Sequence, residues 1–315
     1  MVSPRFCLTA IETFGLINNH RFESQRRARL QTMYTFVNTR LLLVYVICQG
    51  LSVVTRAIRY YPEFIQCLLD HTIMWCLMFI MYYFQSIHRE MFAFATFLDA
   101  LFSKADAQVT QKCHRQSRMT FLTILTLVGI GFSASGLETV LPISADELDI
   151  RRQVYRTTRP ERRLPFNIKV PFLDESESPT YEILFALELY LIVLSTVLAS
   201  SNISVFILAI IHIRAQYEIL CKYIVKVGHE HRDELGYRIF YTNIERNECN
   251  IQQLYSPTMR RNRGNKRMLM KIERLKWIHY EKTYMRQIVK FHQKLLTTQD
   301  EVGTLFMWML FLKSV

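Results

Sequence analysis

The sequence predicts an all-α membrane protein: a polytopic helix bundle with four full transmembrane helices, a partial fifth and a cytoplasmic N-terminus. Two observations lead to this prediction. Half of the 315 residues are hydrophobic and only 21% are charged, and the charges lie in blocks between long uncharged runs. The clearest run, Leu189 to Ile213, has 25 uncharged residues. As a helix it would be about 37 Å long, which exceeds the ~30 Å hydrocarbon core of a bilayer.

A soluble helical bundle is the alternative fold. Its core helices would normally carry a polar stripe with a period of 3.6 residues. The middle of the Leu189 to Ile213 run offers only Ser, Thr and Asn as polar residues, which are the small polar types that membrane helices tolerate at their contacts.

Three further uncharged runs predict the other spans. They are Met119–Leu137, His71–His88 and the shorter Leu41–Thr55, which Arg40 precedes. An arginine there can snorkel to the membrane surface. We therefore predict one membrane domain over 1–315, with a cytoplasmic segment at 1–35, spans at 36–57, 71–88, 119–137 and 183–213, an extracellular loop at 138–182, a cytoplasmic loop with helical extensions at 214–301, and a partial fifth span at 302–315.

The last predicted span is short. Its apolar stretch from Val302 to Leu312 would reach only about 16 Å as a helix, roughly half a bilayer. We expect a protein truncated within its fifth span, and an amphipathic end lying flat on the membrane surface is the alternative. Glu12, Asn18 and Asn19 interrupt the N-terminal apolar residues, so no signal peptide is evident.

The basic residues predict the orientation. On this topology 29 Lys and Arg fall on the side of the N-terminus and 9 on the other, and the positive-inside rule places the richer side in the cytoplasm. A G-protein-coupled receptor has the opposite orientation and is disfavoured. The net charge of +12 is thus a topology signal, and we expect no nucleic-acid partner. The basic cluster Arg260, Arg261, Arg263, Lys266 and Arg267 is interpreted as a solvated loop or a contact with membrane lipid.

Motifs for enzymatic chemistry are not found. The chain has no CxxC, HExxH, GxSxG or phosphate-binding loop, so we expect no catalytic residues, metal or cofactor. Gly129, Gly131 and Gly136 lie inside an apolar run and indicate close helix packing or a kink. Ser200, Ser201, Asn202 and Ser204 form a polar zone that either packs against a neighbour or lines a pocket.

Several short motifs occur in a fixed order relative to the apolar runs. They are Leu164-Pro165-Phe166, Pro171-Phe172 and Ser178-Pro179-Thr180-Tyr181 before the fourth span, His212 and Gln216 with Leu220 at its end, and His292-Gln293 with Leu296 before the fifth. Together they resemble the insect odorant receptor family. Two departures are Lys169, where the family often has an aromatic residue, and the length of the stretch 222–290.

This resemblance implies an odorant-binding subunit of a ligand-gated cation channel for olfaction, located in the plasma membrane and paired with the odorant receptor co-receptor. The family's pore lies in its seventh helix, which this chain does not reach, so we expect that it cannot conduct alone. Gustatory receptors share the topology and are an alternative. A transporter or scaffold is a second alternative, disfavoured because the sequence shows no internal repeat and the runs are uncharged.

The resemblance also implies where the ligand binds. The family's odorant lies in the outer half of the bundle, and a small volatile or hydrophobic ligand needs an apolar pocket with a few polar groups. Glu188 is the sharpest candidate, because an acid near the mouth of a span is costly unless it is paired or functional. Plain helix packing is the alternative for each residue. The candidate residues are Trp75, Phe79 and Tyr82, which share one helical face, with Ile130, Ser133, Tyr181, Phe185 and Glu188.

Overall fold

The structure is a computed structural model that describes residues 3–17, 25–55, 57–101, 106–155, 157–166, 168–232, 235–252 and 265–311. Helices dominate these residues. In chain order the elements are α1 Pro4–Thr13, α2 Gln25–Thr55, a 3-10 turn at Ala57–Arg59, α3 Tyr61–Leu101, α4 Ala107–Glu138, α5 Ala145–Gln153, α6 Thr180–Ile224, β1 Arg238–Asn243, β2 Glu248–Gln252 and α7 Asn265–Phe311.

Four helical segments in the described residues are long and apolar enough to cross a membrane. They are Gln25–Arg59, Tyr61–Asp99, Ala107–Glu138 and Thr180–Ile224, and each contains one of the uncharged runs. The predicted fold class, an all-α bundle with four membrane-capable helices, is confirmed. The helices extend beyond the runs: α6 has 45 residues and is about 67 Å long.

Two parts of the fold differ from the expectation. The segment expected as a loop before His71 is helical, since α3 begins at Tyr61. An antiparallel hairpin, β1 with β2, was not predicted. It pairs Ile239 with Ile251 and Phe240 with Asn250.

Some predicted features fall outside the described residues. Arg260, Arg261 and Arg263 of the basic cluster are among them, as are the side chains of Lys266 and Arg267. In the expected partial fifth span, α7 continues to Phe311, and the side chains after residue 304 are not described.

The chain divides into two compact units. The first, here called the span unit, comprises Val2–Phe92 and Arg118–Phe206. The second, called the hairpin unit, comprises Ala93–Ser117 and Ile207–Val315.

In the span unit, α1 is held by its apolar face. Cys7, Leu8 and Ile11 are fully buried, and their spacing puts them on one side of the helix. The same helix buries Glu12, whose carboxylate Oε1 lies 2.7 Å from Nε2 of the buried His88 on α3. An apolar face and a buried contact between a carboxyl group and an imidazole therefore fasten α1 to the span unit.

The chain turns sharply after α1. Gly15 has φ +66° and a Cβ at this position would overlap the ring of Tyr34. The amide of Asn38 donates to the Phe14 carbonyl at 3.0 Å, and its oxygen accepts from the Tyr190 hydroxyl at 2.9 Å. Only glycine adopts this backbone conformation without strain while leaving room for the tyrosine ring.

We expect Gly15→Ala to destabilise the attachment of α1 by about 1–3 kcal/mol, because left-handed backbone strain adds to the steric overlap with Tyr34. The measurement is the rate at which buried Cys7 reacts with a thiol reagent, followed by mass spectrometry. Gly131→Ala is the matched control, since a Cβ there meets no other atom within 4 Å. Equal Cys7 reactivity in both variants would contradict the prediction.

The hairpin unit has an aromatic core. Tyr223 of α6, Tyr241 of β1 and both Tyr284 and Phe291 of α7 are buried together. The Tyr284 hydroxyl donates to the Tyr223 carbonyl at 2.8 Å. Burial raises the pKa of Tyr284 well above its usual value, since the phenolate would be poorly solvated there. These contacts tie α7 and the hairpin to the end of α6.

Candidate functional site

Glu188 lies on α6 in the span unit and is fully buried. Its Oε2 accepts a hydrogen bond from the backbone N–H of Phe166 at 3.0 Å. Its Oε1 is also buried and has no hydrogen-bond partner among the described residues. A buried carboxylate oxygen is strongly disfavoured without a partner, so this oxygen is available to a bound molecule or an ordered water.

The segment Leu164-Pro165-Phe166 covers Glu188. All three residues are buried although they belong to the long connection between α4 and α6. The adjacent Arg163 forms an ion pair with Glu138 at 2.8 Å, and its carbonyl accepts from the Tyr181 hydroxyl at 3.1 Å. The covering segment is therefore fastened at both the α4 end and the α6 start.

The rest of this connection is ordered by α5. The Ser144 hydroxyl accepts from the Glu147 N–H at 3.2 Å, which caps the helix. Buried Arg151 pairs with Glu147 at 2.9 Å and donates to the Arg162 carbonyl at 3.0 Å. Because Arg162 directly precedes Arg163, α5 supports the segment that covers Glu188.

Asp174 anchors a second point of the connection. Burial alone would raise the pKa of this carboxyl, but hydrogen bonds from Ser176 and Thr158 outweigh it and hold the pKa below its usual value. The Thr158 hydroxyl donates to Asp174 at 2.5 Å. The carboxylate thus joins residues that are distant in sequence.

A polar face of α2 belongs to the same region. Tyr45, Gln49 and Ser52 are buried, and the Tyr45 hydroxyl, Gln49 Oε1 and Ser52 Oγ have no hydrogen-bond partner among the described residues. The Tyr45 ring packs edge-on against the Phe166 ring at 6.2 Å. Phe166 therefore contacts Glu188 through its backbone and Tyr45 through its ring.

Sequence reasoning did not identify this face of α2. The signal was present, because Tyr45, Gln49 and Ser52 are spaced i, i+4 and i+7 inside an otherwise apolar run, which aligns them on one helix face. A buried carboxylate, a tyrosine hydroxyl, an amide and a hydroxyl among apolar helices can bind a small, mainly apolar molecule and orient its polar group.

The structure separates the predicted ligand residues into two groups. Tyr181 and Phe185 lie one turn apart on α6, and their ring centroids are 5.9 Å apart. Both precede Glu188 on the same helix. The other five side chains are exposed on α3 and α4 in this chain: Trp75, Phe79, Tyr82, Ile130 and Ser133. Trp75 donates to His71 Nε2 at 2.9 Å on its own helix.

The fold matches that of a solved insect olfactory receptor. The structure of the insect olfactory receptor OR5 from Machilis hrabei is similar over 96% of this chain, with a TM-score of 0.55 and 11% sequence identity. The chain spans 64% of the length of that receptor. No protein-family profile matches the chain, and no curated protein matches its sequence. At this identity the similarity establishes the helical membrane fold alone.

Within this olfactory-receptor fold the motif residues have different environments. Pro165 is buried next to Phe166, whose N–H donates to Glu188, whereas Pro171 and Pro179 are exposed. In the hairpin unit His212 and Gln216 are buried, and His212 Nδ1 lies 2.7 Å from the Leu208 carbonyl. His292 and Gln293 are exposed on α7.

The polar zone in the middle of α6 is buried as well. Ser200 donates to the Thr196 carbonyl at 2.6 Å. Asn202 Oδ1 and Ser204 Oγ are buried and have no hydrogen-bond partner among the described residues.

Proposed function

We propose that the chain is the ligand-binding part of an insect-type chemoreceptor, an odorant-binding subunit of a ligand-gated cation channel that assembles with a co-receptor. Two observations support the proposal. The olfactory-receptor fold extends over 96% of the chain, and Glu188 offers an enclosed acceptor oxygen beneath the Leu164-Pro165-Phe166 segment. The second observation is the decisive one, because it is a feature of this chain's own residues.

The proposed orientation places the N-terminus in the cytoplasm and the connection between α4 and α6 outside the plasma membrane. The positive-inside count supports it. In this orientation Glu188, Tyr45 and Phe166 lie in the outer half of the bundle, on the side from which a ligand arrives.

The chemistry of Glu188 suggests a ligand class. A carboxylate accepts hydrogen bonds, and such bonds are stronger when the donor is charged. The proposed ligand is a small apolar molecule with one donor group, such as a volatile amine or alcohol. An ester of the same size has no donor and would bind without using Glu188.

Displacement of a fluorescent apolar probe tests this proposal. The full chain is reconstituted in phosphatidylcholine nanodiscs with 1-aminoanthracene, and amines, alcohols and esters of similar size compete with it. We expect amines or alcohols to bind, and Glu188→Gln to weaken their binding by about tenfold or more, because it removes a charge-assisted hydrogen bond. Ester binding should change little.

Glu182→Gln is the matched control. Glu182 lies on the same helix, but it is exposed and bonds to Ser178 at 2.7 Å. If no compound displaces the probe, or if the two variants bind amines and alcohols equally, the ligand site is not at Glu188.

A further inference from the structure

A cavity lies in the span unit, between α2 and α3. It has a volume of about 600 Å³, and its lining includes Arg40, Arg89, Phe36, Leu43, Thr39 and Gln85. Glu188, Tyr45 and Phe166 do not line it, so the proposed odorant site does not account for it.

The cavity carries positive charge without a neutralising acid. Neither Arg40 nor Arg89 forms an ion pair with a carboxylate in the described part of the chain. α2 contains no Asp or Glu. Of the lining residues, His88 contacts an acid, the buried Glu12, at 2.7 Å. Two guanidinium groups therefore give the cavity its charge.

Three other polar side chains of the wall already donate hydrogen bonds within the chain. The Thr39 hydroxyl donates to the Thr35 carbonyl at 2.8 Å, and the Ser86 hydroxyl donates to the Tyr83 carbonyl at 2.7 Å. The Gln85 amide donates to the Leu16 carbonyl at 3.1 Å. Arg40 and Arg89 are therefore the main donors for an anion. Each guanidinium has five N–H donors in a fork that matches a phosphate.

Arg40 and Arg89 each lie directly at the end of an apolar run. Arg40 directly precedes the run Leu41–Thr55, and Arg89 directly follows the run His71–His88. Since both line one cavity, both lie at the same edge of the apolar region. This is the level of the lipid headgroups, whichever way the chain is oriented.

The cavity also has an apolar wall. Phe36 is exposed, and the Arg40 guanidinium lies 5.0 Å from the centre of its ring. Leu43 follows on the same face of α2, seven residues along and two helical turns away. Positive charge beside an apolar groove fits an amphipathic anion better than a free one.

We propose that this cavity binds the phosphate headgroup of an anionic phospholipid. Arg40 and Arg89 bind the phosphate oxygens, and Leu43, which lies inside the apolar run, contacts the first part of an acyl chain. Phe36 packs beside the Arg40 guanidinium at the level of the headgroup. Basic pockets between transmembrane helices bind anionic headgroups by this chemistry. The site is distinct from the basic cluster at 260–267.

Native mass spectrometry of the full chain in detergent tests the proposal. The probes are phosphatidylglycerol and phosphatidylcholine with identical acyl chains. We expect the first bound phosphatidylglycerol to bind about tenfold or more tightly than phosphatidylcholine. Both lipids carry a phosphate, but phosphatidylcholine also carries a choline cation, which offsets the phosphate charge and would be repelled by the two arginines. The double variant Arg40→Gln, Arg89→Gln should lose this preference while retaining its helical circular dichroism.

Arg115→Gln with Arg118→Gln is the matched control. It removes the same charge from exposed positions, and Arg118 directly precedes the run Met119–Leu137. Loss of the preference in this control to the same extent would overturn the proposal, as would its survival in the Arg40, Arg89 variant.

Soluble glycerol phosphate separates the two sources of a phosphate. If it displaces phosphatidylglycerol at equal concentration, the site binds a free phosphate ester and the lipid assignment is overturned. Arg40→Lys with Arg89→Lys provides a second variant should the glutamine variant fail to fold. It retains the charge but not the fork, and we expect it to lose part of the preference.

Discussion

Replacing His88 with alanine is expected to loosen α1 and to speed the reaction of Cys7 with a thiol reagent by about 100-fold or more, because leaving a buried carboxylate without its hydrogen-bond partner costs about 3 kcal/mol or more. Glu12 would lose its imidazole partner at a site where its side chain is 4% exposed. Cys7 is a suitable reporter, since it is fully buried on α1 and burial raises the pKa of its thiol to about 12.

Two comparisons sharpen this experiment. Lys112→Ala breaks an exposed pair with Glu218, which contributes at most about 1 kcal/mol, and it should leave Cys7 unreactive. Adding Glu12→Gln to His88→Ala replaces the carboxyl group that has lost its partner with a neutral amide and should restore part of the protection. Unchanged Cys7 reactivity in His88→Ala would mean that the contact between Glu12 and His88 does not hold α1.

Replacing His231 with alanine is expected to destabilise the hairpin unit by about 3 kcal/mol, because lost packing adds to two lost hydrogen bonds. His231 Nδ1 lies 2.6 Å from the Tyr280 hydroxyl and Nε2 lies 2.9 Å from the Lys226 carbonyl. Its ring centre is 4.6 Å from that of Tyr284. The measurement is thiol labelling of Cys113, which is buried in this core.

His279→Ala is the control for this variant, since His279 is exposed on α7. In this variant the thiol reagent should label Cys113 at the wild-type rate. If Cys113 is labelled at that rate in His231→Ala as well, His231 does not support the core.

His231 should also make the stability of the hairpin unit depend on pH. Burial lowers the pKa of His231 and outweighs the hydrogen bond to the Lys226 carbonyl, which raises it. The Lys226 ammonium also lowers this pKa, and Glu281 raises it. The unfolded chain therefore takes up this proton at a higher pH than the folded chain. Stability falls as the pH drops below about 6.5, the ordinary histidine value, until the folded-state pKa is reached. Cys113 labelling, normalised to exposed Cys249, should rise over this window, and His231→Phe should reduce the rise.

The long helices were predictable because their cause is local. A run such as Leu189 to Ile213 avoids charge at every position, and the cost of placing charge in hydrocarbon acts residue by residue. The hairpin was not predictable in the same way. Its strands β1 and β2 have six and five residues, and their stability depends on α7, which begins after residue 264.

The candidate site was partly predictable for the same reason. Glu188 is conspicuous as an acid near the start of a long apolar run. The hydrogen-bond partner of Glu188 is not conspicuous in the sequence, because the Phe166 N–H reaches the carboxylate only after the connection between α4 and α6 folds back. The sequence indicates that Trp75 shares one helix face with Phe79 and Tyr82. It does not indicate what covers that face, because the cover depends on contacts with other helices.

The covered position of Glu188 bears on the kinetics of ligand exchange. The Leu164-Pro165-Phe166 segment encloses the carboxylate, so under the proposed function a ligand cannot reach it by diffusion alone. The segment must first release Glu188 or the helices must part, and that step precedes binding. Association would then be slower than the diffusional encounter of the ligand with the receptor, because binding requires a conformational change. At high ligand concentration its rate would reach a plateau equal to the opening rate, and dissociation would be slowed by the same step.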